Sequence, residues 1–384
     1  MESQTNHADV IVIGAGIAGA SAAAELATTG SVIMLERESQ PGYHTTGRSA
    51  ALFSKVYGPA QIRALSRASA AFFDAPPQGF AANPLLRCRP VALVGRADQS
   101  DKVHAEFETV RGRGGVGVIS GEELRRMMPL LREGYAAAAL MEHDAADIDV
   151  HALHHGYLRL LRERGGSVVI PSDVVGLARI GDRWRVETGK GTFSAPIVVN
   201  AAGAWADEIA RLAGVATVGL VPKRRTALIV DAPGGHADEA WPMVVDIDEA
   251  FYLKPDAGRL LISPADETPS PPCDAQPEEL DIAICIDRIQ NAFDIEVGRV
   301  LNSWAGLRSF VADKVPAVGF AADAPGFFWL AGQGGYGIQS APAMARVAAA
   351  LVRGEPIADD IAAEGVDPAA LSPQRAELRT EVTR

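Results

Sequence analysis

Cysteine is scarce. Cys88, Cys273 and Cys285 are the only three in 384 residues, and they lie too far apart to form a metal-ligand spacing. A disulfide-stapled scaffold and a metal site are excluded, and a reducing compartment fits. Positive charge is also short: 36 Lys and Arg stand against 48 Asp and Glu, a net charge of −12. Nucleic-acid binding through a basic face is therefore excluded, because it needs clustered Lys and Arg. Long apolar runs are missing too. Residues 10–24 are uncharged but too short to cross a bilayer, and the leader before them lacks Lys and Arg, unlike a signal peptide. Residues 324–345 are uncharged but broken by Gly332, Gly334, Gly335, Gly337 and Pro342. A chain with no membrane span, located in the cytoplasm, is expected. The length allows two domains.

What the sequence does have begins at residue 8. The apolar run Val10-Ile11-Val12-Ile13 leads into Gly14-Ala15-Gly16-Ile17-Ala18-Gly19, then a small-residue helix, then a second apolar run ending at Glu36. This is strand, glycine turn, helix, strand, acid. Gly14 permits the tight turn, Gly16 lets the backbone approach a pyrophosphate, and Gly19 lets helix and strand pack closely. The pyrophosphate would sit at the positive end of the helix. Glu36, about twenty residues on, can accept hydrogen bonds from a ribose diol and repel a 2′-phosphate. From this unit alone FAD and NAD are both open.

Residues 39–57 show no regular period and are rich in hydroxyls and small side chains, as suits a loop wrapping a cofactor. Helices are expected over 60–73, 101–111, 121–128, 151–164 and 278–293, and strands over 91–95, 167–170 and 197–200. A hairpin is expected from 174–180 and 183–188. After residue 223 the pattern alternates, with strands over 226–231, 243–246, 250–254, 260–263 and 300–304, and a turn at Pro255-Asp256-Ala257-Gly258. The last block returns to the opening pattern: strand 327–331, glycine turn, helix 339–353, then a polar, loosely specified tail. The fold class is α/β. A Rossmann-like dinucleotide-binding domain (1–85, 145–220 and 315–365) holds an inserted, largely antiparallel domain with helices (86–144 and 221–314), and 366–384 form the tail.

Two glycine junctions at opposite ends of the chain suit a large dinucleotide. For a flavin, backbone N–H groups at Gly335 to Gln339 would stabilise the charge left near N1 and C2=O after hydride arrives at N5. The blocks 12–19, 41–51, 199–205, 222–225, 251–258, 304–313 and 332–339 resemble the D-amino-acid oxidase-like family of FAD-dependent oxidoreductases, and within it the branch of bacterial catabolic D-arginine dehydrogenases. The resemblance spans essentially the whole chain.

The resemblance implies non-covalent FAD, since Ser309 stands where some relatives carry a flavin-linking cysteine. It implies that Gly14, Gly16, Ala18, Gly19, Glu36, Arg37 and Val174 serve the adenosine and pyrophosphate end. Thr45, Thr46, Gly47, Arg48, Ser49, Ala50 and Leu52, with Gly334, Gly335, Tyr336, Gly337, Ile338 and Gln339, would surround the rest of the cofactor. Arg225 and Arg308 would hold a substrate carboxylate, Tyr57 and Tyr252 would line the site, and Gly335 and Tyr336 would face the bound amino acid. The residue chemistry agrees: a guanidinium forks onto a carboxylate and fixes its orientation. His44 reads as a structural group of the loop, because hydride transfer from a neutral amine needs no strong base.

The branch carries an acid for the substrate guanidinium where this chain has Val91, and a histidine where it has Leu52. An unpaired buried cation costs several kcal/mol, so neutral or hydrophobic side chains are expected over D-Arg. The implied reaction is oxidative deamination of D-amino acids to 2-oxo acids and ammonia, with O2, a quinone or another electron acceptor as partner. Oxidation of a secondary amine or a 2-hydroxy acid is the alternative within enzymes. A non-catalytic flavin-binding or electron-transfer subunit is the alternative outside them, and the Arg225–Arg308 pair opposes it. No motif bears on oligomeric state.

Overall fold

The computed structural model describes residues 5–112 and 115–378. Its centre is a six-stranded sheet in the order Ser167–Val169, Val32–Leu35, Val10–Ile13, Ile197–Asn200, Phe327–Ala331, Ala317–Phe320. All neighbours are parallel except the last pair. The strands are apolar because both sheet faces are covered. Period-two alternation splits them between two cores. Val10, Val12, Met34, Val199 and Phe328 face the helices Ile17–Leu26, Val150–Glu163 and Gly337–Arg353. Ile11, Ile13, Leu35, Val198 and Trp329 face the four-stranded sheet that contains the Val174–Ile180 and Arg183–Thr188 hairpin.

A nine-stranded sheet forms the second layer. Val221–Val230 pairs antiparallel with Val300–Phe310 along nearly its whole length, with Arg225 opposite Gly306 and Lys223 opposite Arg308. Val91–Gly95 is shared between Met243–Asp246, which is parallel to it, and Ala138–Glu142, which is antiparallel. Helix Glu279–Ala292 covers this sheet through Cys285, Ile289 and Ala292.

Several expected boundaries move. The strand expected to end at Trp304 runs on to Phe310, and Gly306 stays in register within it. A Cβ there would lie 3.5 Å from Arg48 Cβ, an ordinary van der Waals contact, so the 45–48 loop packs directly on this strand. In the hairpin Tyr252–Asp256/Arg259–Ser263 the turn shrinks to Ala257 and Gly258, both at positive φ (50° and 77°). Such a two-residue turn matches strand twist. Strands Val116–Ser120 and Ala138–Glu142 were not expected; their side chains are mostly small, and their pairing with Val91–Gly95 and each other makes them strands. The tail is more ordered than its composition suggests. Helices Asp359–Ala363 and Pro368–Leu371 bury Ile361 and Leu371, and Arg375 donates to both Asp313 oxygens at 2.7 and 2.8 Å. Among the described residues no helix is long and apolar enough to cross a membrane.

Candidate active site

The opening turn is built as its glycines require. Gly14 has φ +102°, and a Cβ on it would lie 2.4 Å from the Ala201 carbonyl oxygen. A Cβ on Gly19 would meet the Gly14 carbonyl oxygen at 1.9 Å, so helix Ile17–Leu26 can sit against the turn only without a side chain there. Glu36 accepts from Ala15 N–H at 2.7 Å and from Glu38 N–H at 2.9 Å. Burial is the main cause that raises its pKa. His154, on helix Val150–Glu163, donates from Nε2 to the Ala15 carbonyl at 2.8 Å and is neutral, because burial lowers its pKa to about 4.

Three cavities adjoin one another. One, of about 470 Å3, lies between Gly14, Glu36, Arg37, Val174, His44 and Trp205. It shares Gly16, Thr45 and Thr46 with a second of about 130 Å3, which runs past Ala18, Arg48, Gly334, Gly337 and Ile338. The second shares Ser49, Ala50, Gly335, Arg225, Tyr252 and Arg308 with a third of about 80 Å3, lined also by Leu52, Tyr57, Val91 and Gln339. Of the residues singled out from sequence, Gly19, Gly47 and Tyr336 line none of the three. Gly19 and Gly47 act on backbone packing. Tyr336 stands behind the wall, its ring 5.1 Å from Tyr57 and 6.3 Å from Phe310. The residue facing the cavity is its neighbour Gly335, where a Cβ would lie 2.8 Å from Arg308 Nη1.

Strand alternation sorts the basic cluster at 223–225. Arg224 pairs with Asp281 and Glu278, Lys223 with Glu267, and Arg225 turns to the cavity at 7% exposure. Arg225 has weak acid contacts, Glu267 at 3.4 Å and Glu249 at 3.9 Å, and its Nε has no partner. Burial, then the like charge of Arg308, pushes its pKa below the ordinary arginine value. Arg308 is half-buried on the cavity wall, and among the described residues no carboxylate oxygen lies within 4 Å of it. Two adjacent guanidiniums, one without a counter-ion, make a site for an anion. Arg48 is used otherwise: it pairs with Asp274 and donates to the Ala275 and Ala305 carbonyls, tying the loop to the second sheet. His44 has a structural setting, with Nε2 2.9 Å from Glu38 and its ring against Trp205.

The sequence did not reveal Ser54, Glu142, Met243, Val245 and Glu249, which line the third cavity. Glu142 corrects the premise that this wall lacks an acid. It stands directly opposite Val91 in the neighbouring strand, where its only sequence signal is an acid closing an apolar run. In the largest cavity Trp205 was missed as a wall, although it stacks under Arg37 at 4.8 Å.

The chain fits a dinucleotide. Helices Ile17–Leu26 and Gly337–Arg353 both start at the second cavity; neither N-cap residue caps its own helix, and Thr46 Oγ1 accepts from Ile17 N–H at 3.0 Å. Two helix N-termini facing one space favour a pyrophosphate. Ser309 Oγ and Gln333 Nε2, on the same wall, and Gln339 Nε2 are buried without a partner among the described residues. Polar atoms of this kind are normally satisfied, so they point to a bound group.

Comparison with known proteins agrees. The family described as FAD dependent oxidoreductase (DAO) matches residues 9–351. The chain is 24% identical over 367 residues to the "Uncharacterized oxidoreductase YurR" of Bacillus subtilis strain 168, covering 90% of this chain and 95% of that one. Its fold matches glycine oxidase from Geobacillus kaustophilus with a TM-score of 0.81 at 22% identity, over 97% of this chain and 99% of that one. L-proline dehydrogenase from P. horikoshii matches with a TM-score of 0.81 at 21% identity, over 96% and 98%. With the family pattern covering most of the chain and a trough shaped for its cofactor, the protein belongs to the DAO family of FAD-dependent oxidoreductases, and FAD is its cofactor.

Proposed function

We propose that the protein oxidises a small amino carboxylate, a D-amino acid, to the imino acid, which water converts to the 2-oxo acid and ammonia. The observation that carries this is Arg308, a guanidinium on the cavity wall with no acid of its own, beside the buried Arg225. They would take the carboxylate and so fix the direction of the Cα–H bond. Tyr57 and Tyr252 close the wall and exclude water. Bound FAD supplies the two-electron acceptor, and an external acceptor reoxidises it. A neutral amine loses hydride from Cα without a strong base, and the cavity wall carries no histidine among the described residues. Gly14, Gly16, Glu36, Thr46 and Val174 would hold the adenosine and pyrophosphate half of FAD.

A secondary amine is the second reading. Two similar folds carry the names glycine oxidase and L-proline dehydrogenase, the latter acting on a cyclic secondary amine by its name. Anaerobic flavin bleaching separates the readings. D-amino acids should bleach the holoenzyme, and L-amino acids, sarcosine and 2-hydroxy acids should not. Bleaching by secondary amines alone would move the substrate class, and bleaching by none would remove the amino-carboxylate reading.

A further inference from the structure

The substrate-side cavity holds a second charge without a counter-ion. Glu142 is 2% exposed and lines the same cavity as Arg308. Its Oε1 accepts from Lys55 N–H at 2.8 Å, and its Oε2 accepts from the Ser54 hydroxyl at 2.5 Å. Among the described residues no Lys, Arg or His side-chain nitrogen lies within 4 Å of its oxygens. A carboxylate has about four lone-pair sites, so two stay free. Burial is the main cause that raises its pKa, and the hydrogen bonds from Ser54 and Lys55 oppose it. Beside it, Gln339 accepts from Ser54 N–H at 3.0 Å and keeps a buried, unpartnered Nε2. The surrounding wall is apolar: Leu52, Val91, Leu93, Met243 and Val245. Glu142 is one strand away from Val91, about 4.8 Å.

We propose that Glu142 sets side-chain specificity by receiving a cationic hydrogen-bond donor at the end of the substrate side chain, while Arg225 and Arg308 hold the carboxylate. This rests on the amino-carboxylate reading of the same cavity. The reacting α-amine is the wrong partner for Glu142. A carboxylate at hydrogen-bond distance would hold that amine protonated, and the protonated form cannot release hydride from Cα. The cavity holds one other acid, Glu249, and that one lies 3.9 Å from Arg225; Glu142, beside Val91 and without a cation, is the acid that selects ω-amino over alkyl side chains.

The test uses ligands that need no turnover. Hexanoate and 6-aminohexanoate differ by one terminal amine, and their binding to the holoenzyme is read from the shift of the flavin absorbance. 6-Aminohexanoate should bind at least about tenfold tighter, as a desolvated charge pair allows. Glu142→Gln should remove that advantage and leave hexanoate within about twofold. Equal binding of the two ligands by the native protein overturns the proposal, and so does a Glu142→Gln loss shared by both. If the amine is preferred yet no amino acid reduces the flavin, the oxidation reading fails and the Glu142 assignment stands. If Glu142→Gln does not fold, the amine preference must survive Glu249→Gln, the other acid of the cavity, and its loss there overturns the assignment.

Discussion

Replacing Arg308 by Met separates a binding role from a structural one, because the two roles predict opposite effects on stability. Arg308 lies on the cavity wall with no carboxylate within 4 Å among the described residues. On the proposed reading its charge serves a ligand and does little for the fold. Removing a buried or partly buried ion in favour of an apolar side chain of similar size is commonly neutral, or stabilising by about 1–4 kcal/mol. The substrate carboxylate would then meet only Arg225, which already touches Glu267 and Glu249. Truncating one partner of a desolvated, hydrogen-bonded charge pair costs about 2–5 kcal/mol, or roughly 30- to 5,000-fold in affinity. The assay is anaerobic flavin reduction at rising substrate concentration, with urea unfolding alongside. The expected result is a loss of that size in the apparent Kd, with flavin content kept and unfolding free energy equal or higher. A variant that binds substrate within about threefold of the native protein, or unfolds much more easily, would show Arg308 to be structural.

Gly335→Ala should weaken substrate binding about tenfold at unchanged fold stability, because the new methyl would stand 2.8 Å from Arg308 Nη1 and displace the guanidinium; substrate titration of the flavin signal checks it. His154 should contribute acid sensitivity. Its pKa of about 4 lies below the ordinary value near 6.5, so the unfolded chain binds the proton first. The stability is therefore complete above about pH 6.5 and falls as pH drops toward 4, by up to about 3 kcal/mol. Urea unfolding at pH 7 and 4.5 should show a smaller difference in His154→Gln, and an unchanged difference would refute the assignment. Ser309 offers no thiol for a flavin linkage, so acid precipitation should leave the yellow colour in the supernatant; colour in the pellet would contradict this.

Legibility followed how local the cause was. The unit from Val10 to Glu36 was readable because its glycines answer to contacts within the unit and with one neighbouring strand. Val91–Gly95, Met243–Asp246 and Phe327–Ala331 were readable because β-branched or aromatic runs are bounded by turn residues. Ala138–Glu142 was hidden, since Ala-Ala-Leu-Met suits a helix as well, and two flanking strands decide the matter. Arg225 and Arg308 were singled out through the family resemblance and both line the cavity, but Glu142 was not singled out. It enters the site by register with Val91, a relation between residues some fifty positions apart that no local pattern carries. The tail misled in the other direction, because its few apolar residues, Ile361, Val366 and Leu371, are each buried while the polar ones between them dominate the composition.

The way the central sheet is threaded also sets the order in which the molecule can be made. Val10–Ile13 leaves the ribosome well before its neighbour Ile197–Asn200, which must in turn wait for Phe327–Ala331 before its other edge is covered. Helix Gly337–Arg353, which covers Ile17–Leu26, emerges later still. The strands between can close their own sheet first, but the cofactor trough has no wall at Gly334 and Gly335 until the segment after Phe327–Ala331 has been made. Long-range parallel pairing of this kind is slow and leaves strand edges open meanwhile. FAD capture is therefore a late event in biogenesis. A ribosome stalled before Phe327–Ala331 would carry an open apolar sheet edge and an incomplete cofactor trough.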